Sequence, residues 1–153
     1  ISKEPVVKKT LNIVIADNSS SLEYVAFLEK KYTIIVHKSE DVKNPQDIDL
    51  VLFTGGEDVN PTYYFEKTGK YTSFNETRDR KELEVFEKFR NHSFLLGVCR
   101  GSQFLTVLSQ GKLIQHVEGH CKDHSILVNG QRYQITSSHH QMLYPFDLNK
   151  NEN

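Results

Sequence analysis

The sequence predicts an α/β chain, a three-layer sandwich whose central sheet is mostly parallel and which carries a small antiparallel hairpin. Three observations predict it. Short β-branched or apolar runs of strand length alternate with amphipathic helical segments along the first hundred residues. Two of those runs end in glycine-bearing turns, at Gly55-Gly56 and between Gly97 and Gly101, as strands do when they hand over to a loop or helix. Asn129-Gly130, set between Ile126-Leu127-Val128 and Arg132-Tyr133-Gln134-Ile135, is a hairpin signal.

The elements follow in order. Leu11 to Ala16 reads as the first strand, and Asp17-Asn18-Ser19 as a turn that caps the next helix. Leu22, Val25, Ala26 and Leu28-Glu29 form a helical stripe ending near Lys31. Thr33 to Val36 and Leu50 to Phe53 are a second and third strand, both of buried-strand length. Asp79 to Phe89 is the clearest helix, with Leu83, Phe86 and Phe89-Arg90 toward the core and charges elsewhere. Phe94 to Val98 is a buried strand, and Lys112 to Ile135 is β-rich, beginning with Leu113-Ile114. Between the third strand and the long helix, Asp58 to Thr77 has no clean period and holds Pro61, Tyr63-Tyr64-Phe65, Gly69, Tyr71 and Phe74. Loops of that length are usually functional; a substrate cover and a surface loop packed on its own aromatics are both open readings. Alternating βα units imply a sheet covered on both faces, a flavodoxin-like sandwich.

Composition narrows the function. A chain of 153 residues reads as one domain over 1–153, with 37% hydrophobic and 25% charged residues, as in an ordinary globular protein. A formal net charge of −1 gives no electrostatic case for nucleic acid, and Lys8-Lys9 and Lys30-Lys31 read as solvated faces. No run approaches the ~18 apolar residues that a membrane span needs. No signal peptide is visible, and the two cysteines form no disulfide framework, so a reducing, cytoplasmic location is expected.

Chemistry concentrates at Gly97-Val98-Cys99-Arg100-Gly101-Ser102-Gln103, between the apolar runs Phe94-Leu95-Leu96 and Phe104 to Leu108. It reads as strand, sharp turn and helix with a cysteine at the turn, the thiol counterpart of a G-x-S-x-G nucleophile elbow. Flanking glycines admit a strained backbone and a close approach of strand and helix. The helix start, with its free N–H groups and positive dipole end, favours a thiolate and a developing oxyanion. The plainer alternative is a buried cysteine at a βα turn. Gly55-Gly56, at the end of the run Asp49 to Phe53, adds backbone N–H groups able to face a ligand, although Gly-Gly also marks plain turns.

Taken together, these segments resemble the class I glutamine amidotransferase superfamily, and within it most closely the γ-glutamyl hydrolase branch that includes γ-glutamyl-γ-aminobutyrate hydrolase. The resemblance rests on Gly55 to Pro61 with Tyr64, Arg78-Asp79 with Glu82, Leu96 to Gln103, Gly111 to Gln115, and Ser138-His139-His140-Gln141, in family order. It implies that Cys99 is the nucleophile, attacking a γ-glutamyl amide to form a thioester. The N–H groups of Gly56 and Arg100 would form the oxyanion hole. Gly55 and Gln103 would hold the γ-glutamyl group, with His139 or His140 contacting substrate at the mouth. No cofactor or metal is implied. The partners are a small γ-glutamyl substrate and, for an amidotransferase, a synthetase that receives ammonia.

One departure stands out. The family takes its activating histidine and orienting acid from a His-Pro-Glu-like segment near the C-terminus, and this sequence, ending Asp147 to Asn153, contains none. Together with the start at Ile1, this points to a processed, trimmed or incomplete chain, a domain lacking its C-terminal part. His116, His120 and His124, with Cys121, have a superficially metal-like spacing. Gly119 and the β-prone Ser125 to Val128 argue instead for a loop entering a strand, with pocket-lining histidines as the default. Two function classes follow. One is a cysteine hydrolase of glutamine or γ-glutamyl amides; the other is a non-catalytic amidotransferase-like module that keeps the pocket for binding or regulation.

Overall fold

In the computed structural model, which describes residues 6–19 and 21–144, four runs form one parallel sheet: β1 (Lys9–Ile15), β2 (Tyr32–His37), β3 (Leu50–Phe53) and β4 (Phe94–Gly97). Their spatial order is β2-β1-β3-β4. Val14 pairs with His37 on one side and Val51 on the other, and Val51 in turn with Leu95. The two inner strands are apolar on both faces, and Ile13, Val14, Val51 and Phe53 are fully buried.

Alternate residues of a strand point to opposite faces, so each face gathers its own helices. Val14, Ala16, Val51 and Phe53 pack with Val85, Phe86 and Phe89 of α2 (Glu76–Phe89) and with Phe104 and Val107 of α3 (Arg100–Leu108). Ile13, Ile15 and Leu52 pack with Tyr24, Val25 and Leu28 of α1 (Leu22–Glu29). Two helices on one face and one on the other make the three-layer sandwich that the sequence predicts.

Several local expectations need correction. The outer strands β2 and β4 are not buried: Val36 is 50% and Phe94 83% exposed. Each has a described neighbour on one side only, and its apolar content resembles that of an inner strand. The cap of α1 is Ser21, without a side-chain cap bond; Asp17-Asn18-Ser19 instead make a tight turn in which Asn18 has φ 56° and Asp17 Oδ1 accepts from the Ser19 N–H at 3.0 Å. α2 begins before Asp79, at Glu76, because the Asn75 side chain accepts from the Arg78 N–H at 3.1 Å. Its charges are not all outward, since Asp79 and Glu82 are both fully buried.

Among the described residues there are also two antiparallel pairs: β5 (Lys112–Ile114) with β8 (Met142–Tyr144), and β6 (His124–Val128) with β7 (Gln131–Ile135). The β6–β7 hairpin turns on Asn129 at φ 50° and Gly130 at φ 81°, the left-handed pair of a type I′ turn. In the loop after β3, a short 3-10 turn over Pro61–Tyr64 buries Tyr64. The return leg is pinned by Gln115 Oε1, which accepts from the Gly69 N–H and the Thr72 hydroxyl, both at 2.8 Å. Tyr71 stays 58% exposed. Residues 145–153, which include the Asp147 to Asn153 terminus, lie outside the described residues.

Candidate active site

The parallel pairing of β3 with β4 sets two loops side by side at the carboxyl edge of the sheet, where sites form in such folds. One follows β3 and carries Gly55-Gly56; the other follows β4 and carries Cys99. The Val98 N–H still joins the ladder, donating to the Phe53 carbonyl at 2.9 Å. The chain then breaks at Cys99, with φ 52° and ψ −114°, and its carbonyl accepts from the Ser102 and Gln103 N–H groups at 3.0 and 3.2 Å to start α3. A non-glycine residue in that region costs on the order of 1–3 kcal/mol and persists only where its surroundings enforce it.

Two close approaches enforce it here. A Cβ on Gly97 would fall 2.5 Å from the Gly101 carbonyl carbon, and one on Gly101 would fall 2.0 Å from the Phe53 carbonyl oxygen. Strand and helix meet at a distance that only hydrogen side chains permit. The result is an exposed thiol at the mouth of α3, and no described residue hydrogen-bonds its sulfur. The buried alternative for this cysteine does not hold.

Gly55 lies directly alongside: its Cβ would stand 3.7 Å from the Cys99 Cβ. A cleft of about 240 Å³ opens there. Its wall includes Gly56, Glu57, Asp58, Tyr71 and Ser73 on one side, Cys99 and Gln103 on a second, and Ser138 to Gln141 on a third. The fold thus brings Gly56, Cys99, Gln103, His139 and His140 to one opening, with Gly55 beside the thiol. Arg100 contributes only its backbone to this turn. Its side chain is 1% exposed and turns inward to Asp79 and Glu82. A larger hollow of about 520 Å³, between Ser39-Glu40 and the Lys81 to Lys88 face of α2, is lined by no cysteine or histidine.

Four of the histidines sort into two groups. His140 Nε2 lies 3.2 Å from Asp58 Oδ2 and its Nδ1 lies 3.4 Å from His116 Nδ1, while the His116 ring sits 4.6 Å from that of Tyr71. With Asp58 accepting, Nε2 of a neutral His140 carries the proton and Nδ1 is left as an acceptor for His116. His139 Nδ1 lies 2.9 Å from the Gln141 carbonyl, and its ring neighbours that of His120 at 5.6 Å. Among the described residues no group of three or more ligating side chains is arranged to hold a metal ion.

Sequence reasoning missed three features. First, Arg78 reaches behind the Gly55-Gly56 turn, its Nη2 donating to the Gly55 carbonyl at 2.9 Å and its Nε to Glu82 Oε1 at 3.0 Å. Asp17 and Glu57 lie on the same guanidinium, at 3.5 and 3.1 Å. Burial pushes both carboxyls up, but hydrogen bonds to Ser19 for Asp17, a backbone N–H for Glu57, and the Arg78 charge for both hold them below their ordinary values. Burial lowers Arg78 itself less than Glu82, Glu57 and Asp17 raise it. Second, Asp79 is raised by burial, which outweighs the Asn60 N–H and Arg100. Only the Arg78-Asp79 and Glu82 spacing marked this network. Third, Gln141 is 1% exposed and lines the cleft, with an Oε1 that has no partner among the described residues.

Residues 22–147 match the peptidase C26 family. A glutamine amidotransferase-like protein of Rickettsia prowazekii (strain Madrid E) is 26% identical over 156 residues, covering 90% of this chain and 55% of that protein. The glutamine amidotransferase-like protein YvdE of Lactococcus lactis subsp. lactis (strain IL1403) is 37% identical over 95 residues, 58% of this chain and 40% of that one. A YvdE homologue from L. lactis subsp. cremoris is 30% identical over 145 residues, 76% of this chain and 77% of its own. The chain therefore spans about half the length of the first two relatives. A GMP synthase subunit protein of Thermoplasma acidophilum shares the fold at a TM-score of 0.50 and 13% identity, over 87% of this chain and 66% of that one.

Proposed function

The chain belongs to the peptidase C26 family, and from that premise we propose that it is a cysteine-nucleophile amidohydrolase of glutamine or a γ-glutamyl amide, working through a γ-glutamyl thioester. Cys99 Sγ attacks the γ-carbonyl. The resulting oxyanion accepts from the Gly56 and Arg100 N–H groups, the amine leaves with a proton, and water then releases glutamate and restores the thiol. Gly55, Gln103, His139 and His140 contact the γ-glutamyl group, and the unpartnered Gln141 Oε1 accepts from its α-ammonium. His139 and His140 are the described imidazoles on the cleft available to move a proton. Where ammonia is the leaving group, a partner synthetase is its acceptor.

One observation carries this reading: an exposed cysteine held at φ 52° on the mouth of α3, sharing a cleft with a glycine-pair turn. Hydrolysis of glutamine and of γ-glutamyl-p-nitroanilide by wild type, Cys99→Ala, His139→Ala and His140→Ala tests it. Turnover that Cys99→Ala abolishes supports the hydrolase, and loss in one histidine variant identifies the proton carrier. Binding of γ-glutamyl ligands without turnover in wild type would make the chain a binding module instead.

A further inference from the structure

We propose that Arg78 is a positioning residue for the oxyanion hole: it fixes the peptide between Gly55 and Gly56 so that the Gly56 N–H faces the cleft. This rests on the hydrolase reading for its catalytic consequence. The C=O and N–H of a trans peptide point in opposite directions. A Gly55 carbonyl held on Arg78 Nη2 at 2.9 Å therefore sends the Gly56 N–H away from the guanidinium, and Gly56 lines the same opening as Cys99. Without that bond two successive glycines leave the peptide free to rotate, and a flipped unit would present a carbonyl oxygen to the oxyanion.

The guanidinium is itself held firmly. Its other contacts are the Thr54 hydroxyl and carbonyl at 3.2 and 3.4 Å, Glu57 at 3.1 Å, Glu82 at 3.0 Å and Asp17 at 3.5 Å. It packs directly on the turn, since a Cβ on Gly56 would fall 2.1 Å from Nη1. Glu82 then links the two halves of the hole. One of its oxygens accepts from Arg78 and the other from Arg100, whose own N–H is the second donor. The spread of acceptors around Arg78 suits a planar fork and not an ammonium, so lysine is a poor substitute.

The test is Arg78→Lys with two readouts at the same sulfur. Alkylation of Cys99 by iodoacetamide needs no oxyanion hole, whereas acylation by γ-glutamyl-p-nitroanilide does. The expected result is an alkylation rate within about twofold of wild type, KM little changed, and kcat lower by about 10²–10³, as for loss of one oxyanion donor. An equal fall in both reactions, or neither, overturns the proposal. Should wild type show no hydrolysis, the hydrolase reading fails by itself. The Gly56 amide then reports the positioning: ¹⁵N relaxation dispersion appears in Arg78→Lys and not in wild type, and its absence from both overturns the proposal. Where Arg78→Lys gives no cooperative melt, a crystal structure of wild type decides, and a Gly55 carbonyl turned into the cleft overturns it.

Discussion

Replacing Arg100 by methionine removes the cation from a fully buried site and leaves two carboxylates behind. Arg100 is 1% exposed, and Asp79 and Glu82 are 0% exposed. Removing one partner of a buried ion pair costs about 3–5 kcal/mol, chiefly because the remaining charge is uncompensated. Here each carboxylate keeps one other bond: the Asn60 N–H donates to Asp79 Oδ2 at 3.0 Å, and Arg78 Nε to Glu82 Oε1 at 3.0 Å. Methionine also removes Arg100 Nε, a buried donor without a described partner. Both facts place the expected loss at the lower end, about 3 kcal/mol, or about 6–12 °C in Tm for a chain of this size. Urea unfolding followed by circular dichroism measures it. The triple variant Arg100→Met, Asp79→Asn, Glu82→Gln should be more stable than Arg100→Met alone, because neutral amides keep the two acceptors without the buried charge. A loss below about 1 kcal/mol, or a triple variant less stable than the single one, refutes the reasoning.

Three further outcomes are expected. Iodoacetamide should label Cys99 much faster than Cys121, whose Sγ lies 3.6 Å from the Ser138 carbonyl; comparable labelling of both by peptide mapping counts against Cys99 as nucleophile. Gln141→Leu should raise KM for γ-glutamyl substrates by about 10–100-fold with kcat retained, the worth of one hydrogen bond to a charged group, and an unchanged KM removes Gln141 from the site. Asp17 and Glu57 are held below their ordinary values of 3.8 and 4.5 against burial by hydrogen bonds to Ser19 and to a backbone N–H, respectively, and in part by Arg78. The share that Arg78 contributes is thus complete above pH 4.5 and is lost as pH falls through their folded values. The stability gap between wild type and Arg78→Met should therefore be wider at pH 7 than at pH 3 in urea titrations, and a constant gap contradicts that assignment.

What could be read from the sequence was local. The apolar runs of β1 and β3, the Asn129-Gly130 turn and the glycines flanking Cys99 each signal their structure within a few residues. Exposure of β2 and β4 depends on strand order, which no single run encodes, so Ile34 to Val36 reads as an inner strand would. Asp79 and Glu82 look like the solvated side of an amphipathic helix. They are buried because Arg100, 21 and 18 residues onward, turns inward to meet them. The contact of His140 with Asp58 spans 82 residues and has no local signature. β5 and β8 pair without any turn signal between them, so the ladder beside the Ser138 to Gln141 segment has no local signature.

The most direct test of the central claim is to trap the acyl-enzyme. The chain is mixed with γ-glutamyl-p-nitroanilide, quenched in acid and digested, and the modified peptide is sequenced by mass spectrometry. The account predicts a γ-glutamyl group on the sulfur of Cys99, formed as p-nitroaniline is released and absent from Cys99→Ala. Release of p-nitroaniline with no adduct, with an adduct on Cys121, or at an undiminished rate in Cys99→Ala would contradict it.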